Sequence, residues 1–124
     1  AFLSSIIEEF GQPDLILDDG SHFAHHQKAS FEFLWPHLKD NGIYMVEDCH
    51  SAYWPGVWRG GLRRAGTAIE FAKDRVDDMH HWYTRKRPRL EQADRIKHVG
   101  FSDSIIVYEK GPVERPRQFH FNGE

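Results

Sequence analysis

The sequence lacks the features that mark several classes of protein. Its only cysteine is Cys49, so no internal disulfide can form, and we expect a reducing, cytoplasmic location. No apolar run approaches the ~20 residues that a membrane-spanning helix needs, and no secretory signal is visible. The 16 basic residues do not outnumber the 19 acidic ones, and the pI is about 6.3, whereas nucleic-acid modules often have a pI above roughly 9. We therefore expect neither a membrane nor a nucleic acid as a partner.

What the sequence does contain is the composition of one globular domain. Its 124 residues are 40% hydrophobic and 28% charged, which is typical of a folded chain. A helical pattern is present from the start and ends before Gly11 and Pro13; its apolar residues are Phe2, Leu3, Ile6, Ile7 and Phe10. No N-cap residue precedes this helix, so we expect the sequence to begin inside a domain.

Two short apolar segments flank a second helical pattern. The continuous run at residues 14–19 predicts a buried parallel strand. A helix is predicted between Ser21 and Leu38, with Pro36 kinking or tightening its last turn. Residues 43–46 predict a second strand. Strand, helix and strand within about 35 residues indicate a βαβ unit with parallel strands.

The second half of the sequence predicts a loop, a helix and a hairpin. Residues 51–66 are rich in glycine and aromatic residues and have no periodicity, which indicates a loop. A capping box from Thr67 to Glu70 begins a third helix, and its apolar stripe is predicted to be buried: Ile69, Ala72, Val76, Met79 and Tyr83. Residues 96–99 and 105–108 predict two antiparallel strands, joined by a turn at residues 100–103.

Acidic residues follow both predicted parallel strands. Asp18 and Asp19 end the first strand, and Glu47 and Asp48 end the second. If the strands are neighbours, their ends lie about 5 Å apart, and so many like charges stay ionised only where a cation compensates them. Oxygen ligands suit a hard cation such as Mg²⁺ or Ca²⁺. A single acidic pair would more often cap a helix or face water, but two pairs at matched strand ends favour a metal site.

Histidine and cysteine side chains near these acids offer further chemistry. His22 lies three residues after Asp19 and is either a general base or an incidental turn histidine. His22 and His26 have the i, i+4 spacing of zinc sites, but Phe23 stands where a metalloprotease motif has glutamate. Cys49 is expected to be a small buried residue, with a thiolate ligand as the alternative.

One aromatic and one basic cluster complete the candidate features. Tyr53, Trp54 and Trp58 follow the second acidic pair, and either bind a sugar or ring-bearing substrate or pack the loop onto the sheet. We take them as candidate substrate-binding residues. The basic residues between positions 85 and 89 predict a solvated connector, because the net charge of −3 opposes a nucleic-acid role.

Four blocks of this sequence resemble the metal-dependent sugar O-methyltransferases of macrolide biosynthesis, of the mycinamicin and macrocin type. The blocks are Asp14-Leu15-Ile16-Leu17-Asp18-Asp19-Gly20-Ser21-His22, Leu34-Trp35-Pro36-His37-Leu38, Tyr44-Met45-Val46-Glu47-Asp48 and Tyr53-Trp54. The first block, combined with a Glu-Asp pair 25 residues beyond its histidine, is fairly specific to that family. The resemblance covers residues 1 to about 111.

This resemblance implies a fold, an activity and roles for the site residues. The fold is α/β, a Rossmann-like class I methyltransferase sheet whose parallel strands are followed by an antiparallel C-terminal hairpin. The activity is transfer of a methyl group from S-adenosylmethionine to a hydroxyl of a sugar or glycosylated natural product. Mg²⁺ would be bound by Asp19, Glu47 and Asp48, and His22 would be the general base.

The family builds its cofactor site mainly on the first three strands of a seven-stranded sheet, with a glycine-rich turn after the first. We count four strands here and no Gly-x-Gly-x-x-Gly. We therefore expect residues 1–111 to be the C-terminal half of the domain, residues 112–124 to be a loosely held tail, and the cofactor-binding residues to lie mostly upstream. Alone, this stretch is expected to be inactive and to self-associate or fold poorly. We expect the protein to be a homo-oligomer.

Two other functions stay open on the sequence alone. One is that of a cephalosporin-hydroxylase-like relative, which would need an iron site of two histidines and one carboxylate. His22, Asp19 and His50 are the residues that approach such a set. The other alternative is a non-catalytic fragment or binding module.

Overall fold

Four strands form one mixed sheet in the computed structural model, which describes residues 2–119. Strand β1 (Leu15–Asp18) pairs in parallel with β2 (Ile43–Val46). Strand β4 (Ile105–Lys110) is antiparallel to β2 on one side and to β3 (Ile96–Ser102) on the other, so the order across the sheet is β1-β2-β4-β3. The predicted fold class, with a parallel pair followed by an antiparallel hairpin, is confirmed.

Helices precede and connect these strands. The α-helices of the described residues are α1 (Phe2–Phe10), α2 (Ala24–Leu34), α3 (Ala68–Met79) and α4 (His81–Thr84), and the 3₁₀ helices are Trp35–His37, Cys49–Tyr53, Gly56–Trp58 and Ala93–Arg95. Gly11 ends α1 by adopting a φ of 80°, and its N–H donates to the carbonyl of Ile7. Pro36 tightens the end of α2 into a 3₁₀ turn, as the sequence predicts.

Helix α3 begins at its predicted cap and ends earlier than predicted. The N–H of Glu70 donates to Oγ1 of Thr67 over 3.3 Å, which satisfies one of the free donors of the first turn. His80 leaves the helical conformation at φ −99° and ψ 22°, and the chain continues as the short helix α4. The predicted buried stripe is therefore wrong at Tyr83, whose side chain is 69% exposed.

The hairpin turn also differs from the predicted one. Gly100 to Ser102 continue strand β3, and Gly100 pairs with Val107. The turn is at Asp103 and Ser104, where Ser104 has a φ of 62°. A two-residue turn between strands requires such left-handed conformations, so the turn lies next to β4 and away from Gly100.

An aromatic cluster forms the core on one face of the sheet. The ring of Phe31 stacks on Trp35 with centroids 5.0 Å apart and lies 4.7 Å from the ring of Tyr108. Tyr44 and Ile106 are fully buried beside them. These side chains come from α2, β2 and β4, so burial of one continuous apolar layer fixes the strands against the helices.

The other face of β1 is exposed within the described residues. Leu15 and Leu17 are 61% and 52% exposed, and α1 contains no buried residue. The prediction that β1 is a buried strand is therefore wrong for this face, while Ile16, on the opposite face, packs against the core.

Within residues 2–119, no helix combines the length and the apolarity that crossing a membrane requires. Residues 111–119 form neither helix nor strand, and the last part of the predicted tail, residues 120–124, lies outside the described residues.

Candidate metal and base site

The register of the parallel pair brings the two acidic pairs to one edge of the sheet. Asp18 is the partner of Val46, and the N–H of Glu47 donates to the carbonyl of Asp18 over 3.0 Å. The chain leaves both strands at this point, so the acids of both strands meet where open α/β sheets bind their ligands.

Three side chains converge at this edge and form what we call the acid–histidine group: Asp19, His22 and Asp48. Nε2 of His22 lies 3.3 Å from Oδ2 of Asp48 and 3.9 Å from Oδ1 of Asp19. One ligand atom from each residue lies within 4.8 Å of the others. The two carboxylates are about half exposed, so a solvent-borne ligand can reach the group.

Unusual backbone conformations hold two members of this group. His22 has a φ of 62° and Asp48 a φ of 54°, and a left-handed residue other than glycine costs roughly 1–2 kcal/mol. Nδ1 of His22 is buried and has no hydrogen-bond partner among the described residues. Nε2 is therefore the ring nitrogen that His22 presents to the acids and to any ligand between them.

The donor set of the group fits a divalent cation. Two carboxylates supply the hard oxygen ligands that Mg²⁺ prefers, and their like charges, held close together, favour a bound positive ion. His22 Nε2 adds either a third ligand or a base next to the cation. The arrangement can therefore bind a divalent cation beside a proton acceptor.

The other histidines make different contacts and do not join this group. Nδ1 of His26 lies 2.6 Å from the hydroxyl of Ser21, and Nδ1 of His50 lies 2.6 Å from the hydroxyl of Ser104. In the part of the chain that the structure describes, the group thus has one histidine and two carboxylates. This set does not fit the two-histidine iron site of the hydroxylase alternative, nor the His22–His26 zinc pair.

The two remaining acids of the strand ends lie apart from the group. The carboxylate of Asp18 accepts hydrogen bonds from the N–H of Gly20 and the hydroxyl of Tyr44, over 3.2 and 3.3 Å. Burial raises the pKa of Asp18 despite these bonds. Glu47 is not a member of the group, so its role as a metal ligand stays a prediction.

Cys49 follows Asp48 directly and is a fully buried free thiol. Its sulfur donates weakly to the carbonyl of Val46 over 3.5 Å. Burial raises the pKa of this thiol to about 12, so it is neutral at physiological pH and does not fit the thiolate alternative.

Aromatic residues follow both loops that carry the acid–histidine group. Phe23, which follows His22, stacks on Trp58 with ring centroids 5.3 Å apart. Trp54 lies 6.1 Å from Trp58, and about half of the surface of Trp54 and of Tyr53 is exposed. The predicted aromatic cluster therefore forms a surface that is accessible to a ligand, and Phe23 is a member that the sequence did not indicate.

A cleft of about 400 Å³ adjoins this aromatic surface. Tyr53, Ile69 and Phe101 are among its walls, and His50 and Ser104 supply polar groups. The hairpin turn between β3 and β4 thus reaches this cleft through Asp103 and Ser104. A larger cavity, of about 1100 Å³, lies beside the basic connector at residues 85–89 and includes none of the candidate site residues.

Comparisons with known proteins find methyltransferases that are similar to this chain. No protein-family model matches the chain. The 8-demethyl-8-(2-methoxy-alpha-L-rhamnosyl)-tetracenomycin-C 3'-O-methyltransferase of Streptomyces olivaceus is 40% identical over 97% of this chain and 34% of its own length. The L-olivosyl-oleandolide 3-O-methyltransferase of Streptomyces antibioticus is also 40% identical, over 64% of this chain and 22% of its own length.

Solved structures agree with these sequence relatives. The mycinamycin-pathway methyltransferase MycE, solved in complex with Mg and SAH, superimposes with a TM-score of 0.79 and is 32% identical, covering 95% of this chain and 34% of its own. The chain thus spans about a third or less of the proteins that it matches. The family predicted from the sequence is confirmed: by sequence and by fold, this chain belongs with the sugar O-methyltransferases of macrolide and tetracenomycin pathways.

Proposed function

We propose that the protein containing this chain transfers a methyl group from S-adenosylmethionine to a hydroxyl of a glycosylated natural product. The acid–histidine group would bind Mg²⁺ through Asp19 and Asp48, and His22 would be the general base. The observation that carries this proposal is the approach of His22 Nε2 to both carboxylates, 3.3 Å from Asp48 and 3.9 Å from Asp19.

The relatives support the proposal for the reaction and for the class of substrate. Each is named for methyl transfer to a hydroxyl of a glycosylated compound, and MycE has also been solved with Mg, SAH and mycinamycin VI together. Its TM-score with this chain is 0.74 in that complex. Because the chain spans a minor part of these proteins, S-adenosylmethionine binding is not assigned to its described residues.

In the proposed reaction, His22 moves one proton. Nε2 accepts the proton of the acceptor hydroxyl, the oxygen forms a bond to the methyl carbon, and the bond from that carbon to sulfur breaks to leave S-adenosylhomocysteine. The imidazolium that results lies beside Asp48 and Asp19, whose negative charges stabilise it. A bound divalent cation would lower the pKa of the acceptor hydroxyl.

The acceptor would lie against the exposed aromatic side chains. Sugar rings present apolar C–H faces that pack on aromatic rings, while their hydroxyls bind polar groups. Tyr53 and Trp54 are exposed beside the group, and Trp58 extends the surface toward His22 through Phe23. These contacts support a sugar or glycoside as the substrate.

We also propose a location, an association and a further metal ligand for the whole protein. The free thiol of Cys49 is in keeping with a reducing, cytoplasmic location. The exposed apolar side chains of α1 and β1 support association with further chain, including a homo-oligomer. Glu47 is proposed as an additional ligand that would join the group when a cation binds.

A methyl-transfer assay on the whole protein tests the function. It would be supplied with S-adenosylmethionine and rhamnosylated tetracenomycin or macrolide glycosides, and S-adenosylhomocysteine would be measured. We expect turnover that EDTA abolishes and added Mg²⁺ restores, with the new methyl group on a sugar oxygen. Turnover that is unchanged in EDTA, or methylation of carbon or nitrogen, would contradict the proposal.

A further inference from the structure

Ser51 connects the two loops that carry the acid–histidine group. It lies in the 3₁₀ helix Cys49–Tyr53, and only 4% of its surface is exposed. Its Oγ lies 3.0 Å from the carbonyl oxygen of His22 and 3.2 Å from that of Asp48. One buried hydroxyl therefore shares its single proton between the backbone carbonyls of the candidate base and of a candidate metal ligand.

The two contacts differ in what they signify. A serine hydroxyl commonly bonds a carbonyl three residues earlier in the chain, so the contact with Asp48 alone would be an ordinary feature of a helical turn. The contact with His22 joins residues 29 positions apart. It links the loop after β1 to the loop after β2, and local chain geometry does not require it.

The carbonyls that Ser51 bonds belong to the two strained residues of the group. His22 and Asp48 both have left-handed backbone conformations, with φ values of 62° and 54°. Such conformations persist where the surrounding structure fixes them, and they concentrate at functional sites. Ser51 is one of the groups that fix both of them.

The backbone around Ser51 is itself held in place by the glycine-rich loop. The N–H of Gly61 donates to the carbonyl of Ala52 over 2.9 Å. A Cβ on Gly60 would lie 2.5 Å from the carbonyl oxygen of Ala52 and 2.6 Å from that of Ser51, so only glycine permits this close approach. The hydroxyl of Ser51 is thus presented from a rigid segment.

We propose that Ser51 is a positioning residue, which holds the His22 imidazole and the Asp48 carboxylate in the arrangement that binds the cation and accepts the proton. This inference rests on the function proposed above for the same site. Loss of the hydroxyl frees both loops to relax toward ordinary backbone conformations, which separates Nε2 of His22 from Asp48 and leaves the ligand chemistry itself unchanged.

The test compares Ser51→Ala with Thr67→Ala in the whole protein. Thr67 is a matched control because its hydroxyl is also buried and also has two backbone partners, the carbonyl of Arg64 and the N–H of Glu70, but it caps α3 away from the group. Mg²⁺ affinity is measured by calorimetry, kcat and KM by methyl transfer, and Tm by thermal unfolding. Ser51→Cys, which keeps the shape and a weak donor, is a second variant.

We expect Ser51→Ala to weaken Mg²⁺ binding and to lower kcat by about 10–100-fold, with little change in KM for the acceptor. Thr67→Ala should lower Tm as much while keeping both the affinity and kcat, and Ser51→Cys should fall between Ser51→Ala and the parent. Equal Mg²⁺ affinity and kcat in Ser51→Ala and the parent would overturn the role of Ser51 alone. A parent protein that neither binds Mg²⁺ nor transfers methyl groups would overturn the proposed function and this inference together.

Discussion

His22 is either the general base or an incidental histidine, and the two roles predict different effects of removing its side chain. As the base, it contributes about 10²–10⁴-fold to the rate. We expect the His22→Ala variant of the whole protein to lose turnover at neutral pH by this factor and to keep its Tm. Nδ1 has no hydrogen-bond partner among the described residues, and Nε2 faces carboxylates that are about half exposed and can bind water instead. Raising the pH should restore part of the rate, since hydroxide replaces the lost base.

The control for this experiment is His26→Ala. His26 is an exposed histidine of the same segment, and its ring contacts Ser21 instead of the acids. It should turn over like the parent. Parental turnover by His22→Ala at saturating substrate would assign proton removal to another group.

Asp18 gives a prediction about stability and pH. Burial raises its pKa in the folded protein, so the folded state binds a proton more readily than the unfolded state does, and the ionised carboxylate lowers the stability at neutral pH. This penalty is fully present above the raised pKa and disappears as the pH falls below the ordinary value of 3.8. Asp18→Asn, measured by urea unfolding in EDTA, should therefore be more stable than the parent at neutral pH.

The gain in stability from Asp18→Asn should shrink as the pH falls through that window. An amide can keep both contacts of the carboxylate, with Gly20 and with Tyr44. A variant that is less stable than the parent at neutral pH would mean that the ionised carboxylate stabilises the fold, against this account.

The sequence indicated most of the candidate site, for a physical reason that can be stated. Acids that end two neighbouring parallel strands must meet at one edge of the sheet, so Asp19 and Asp48 were predictable once β1 and β2 were. The contact of Ser51 with His22 was not, because it depends on left-handed backbone conformations at His22 and Asp48, which no sequence pattern specified.

The buried ammonium group of Lys110 connects strand β4 to the end of helix α2. Lys110 is 1% exposed, and its Nζ donates to the carbonyls of Trp35 and Leu38 over 2.8 and 2.7 Å. Both carbonyls lie at the helix end, where backbone donors are few: Trp35 also accepts the N–H of Leu38 over 3.2 Å, and the carbonyl of Leu38 lies beyond the last helical residue. Burial lowers the pKa of Lys110, yet the bonds to helix-end oxygens favour its charged form.

We expect Lys110→Met to lower the free energy of unfolding by about 1–3 kcal/mol, because it removes the ammonium donor that the carbonyls of Trp35 and Leu38 share. Lys97→Met is the matched control, since Lys97 is an exposed lysine on the neighbouring strand β3 with one contact, to Asn41, and should change stability by less than about 0.5 kcal/mol. Urea unfolding of both variants measures the difference. Equal effects would show that the buried contacts of Lys110 do not stabilise the fold.

The secondary structure was predictable where local chemistry decides it. Residues 43–46 form β2 as predicted, and Gly11, Pro36 and Thr67 end or begin helices where the sequence indicates. Two boundaries were predicted wrongly. The apolar periodicity of α3 continues to Tyr83, past the end of the helix, and Gly100 lies within strand β3 although it was predicted to begin the turn. The position of the hairpin turn is set by the pairing of β3 with β4, which is not a local property of the sequence.

At the scale of the whole chain, large apolar side chains are exposed on α1 and on the edge strand β1. Phe2 and Phe10 are 74% and 76% exposed, and Leu17 on the edge strand β1 is 52% exposed. Such an edge pairs with other chains when nothing covers it. We expect the 124-residue chain, produced alone, to self-associate, and Leu17→Lys to reduce the association.

Light scattering across a concentration series measures this association. Leu62→Lys is the control, because Leu62 is 79% exposed but lies in the glycine-rich loop away from the edge strand, and it should associate like the parent. A parent chain that stays monomeric at all concentrations would show that the exposed apolar side chains of α1 and β1 do not cause self-association.

The central claim is that Asp19 and Asp48 bind a divalent cation beside His22, and a Mg²⁺ titration of Asp19→Asn tests it most directly. Asp18→Asn is the matched control, since it changes the adjacent acid, which bonds Tyr44 and Gly20 instead of facing the group. By calorimetry on the whole protein, we expect Asp19→Asn to weaken Mg²⁺ binding by more than about tenfold and Asp18→Asn to bind like the parent. Unchanged affinity in Asp19→Asn, or an equal loss in Asp18→Asn, would contradict the account.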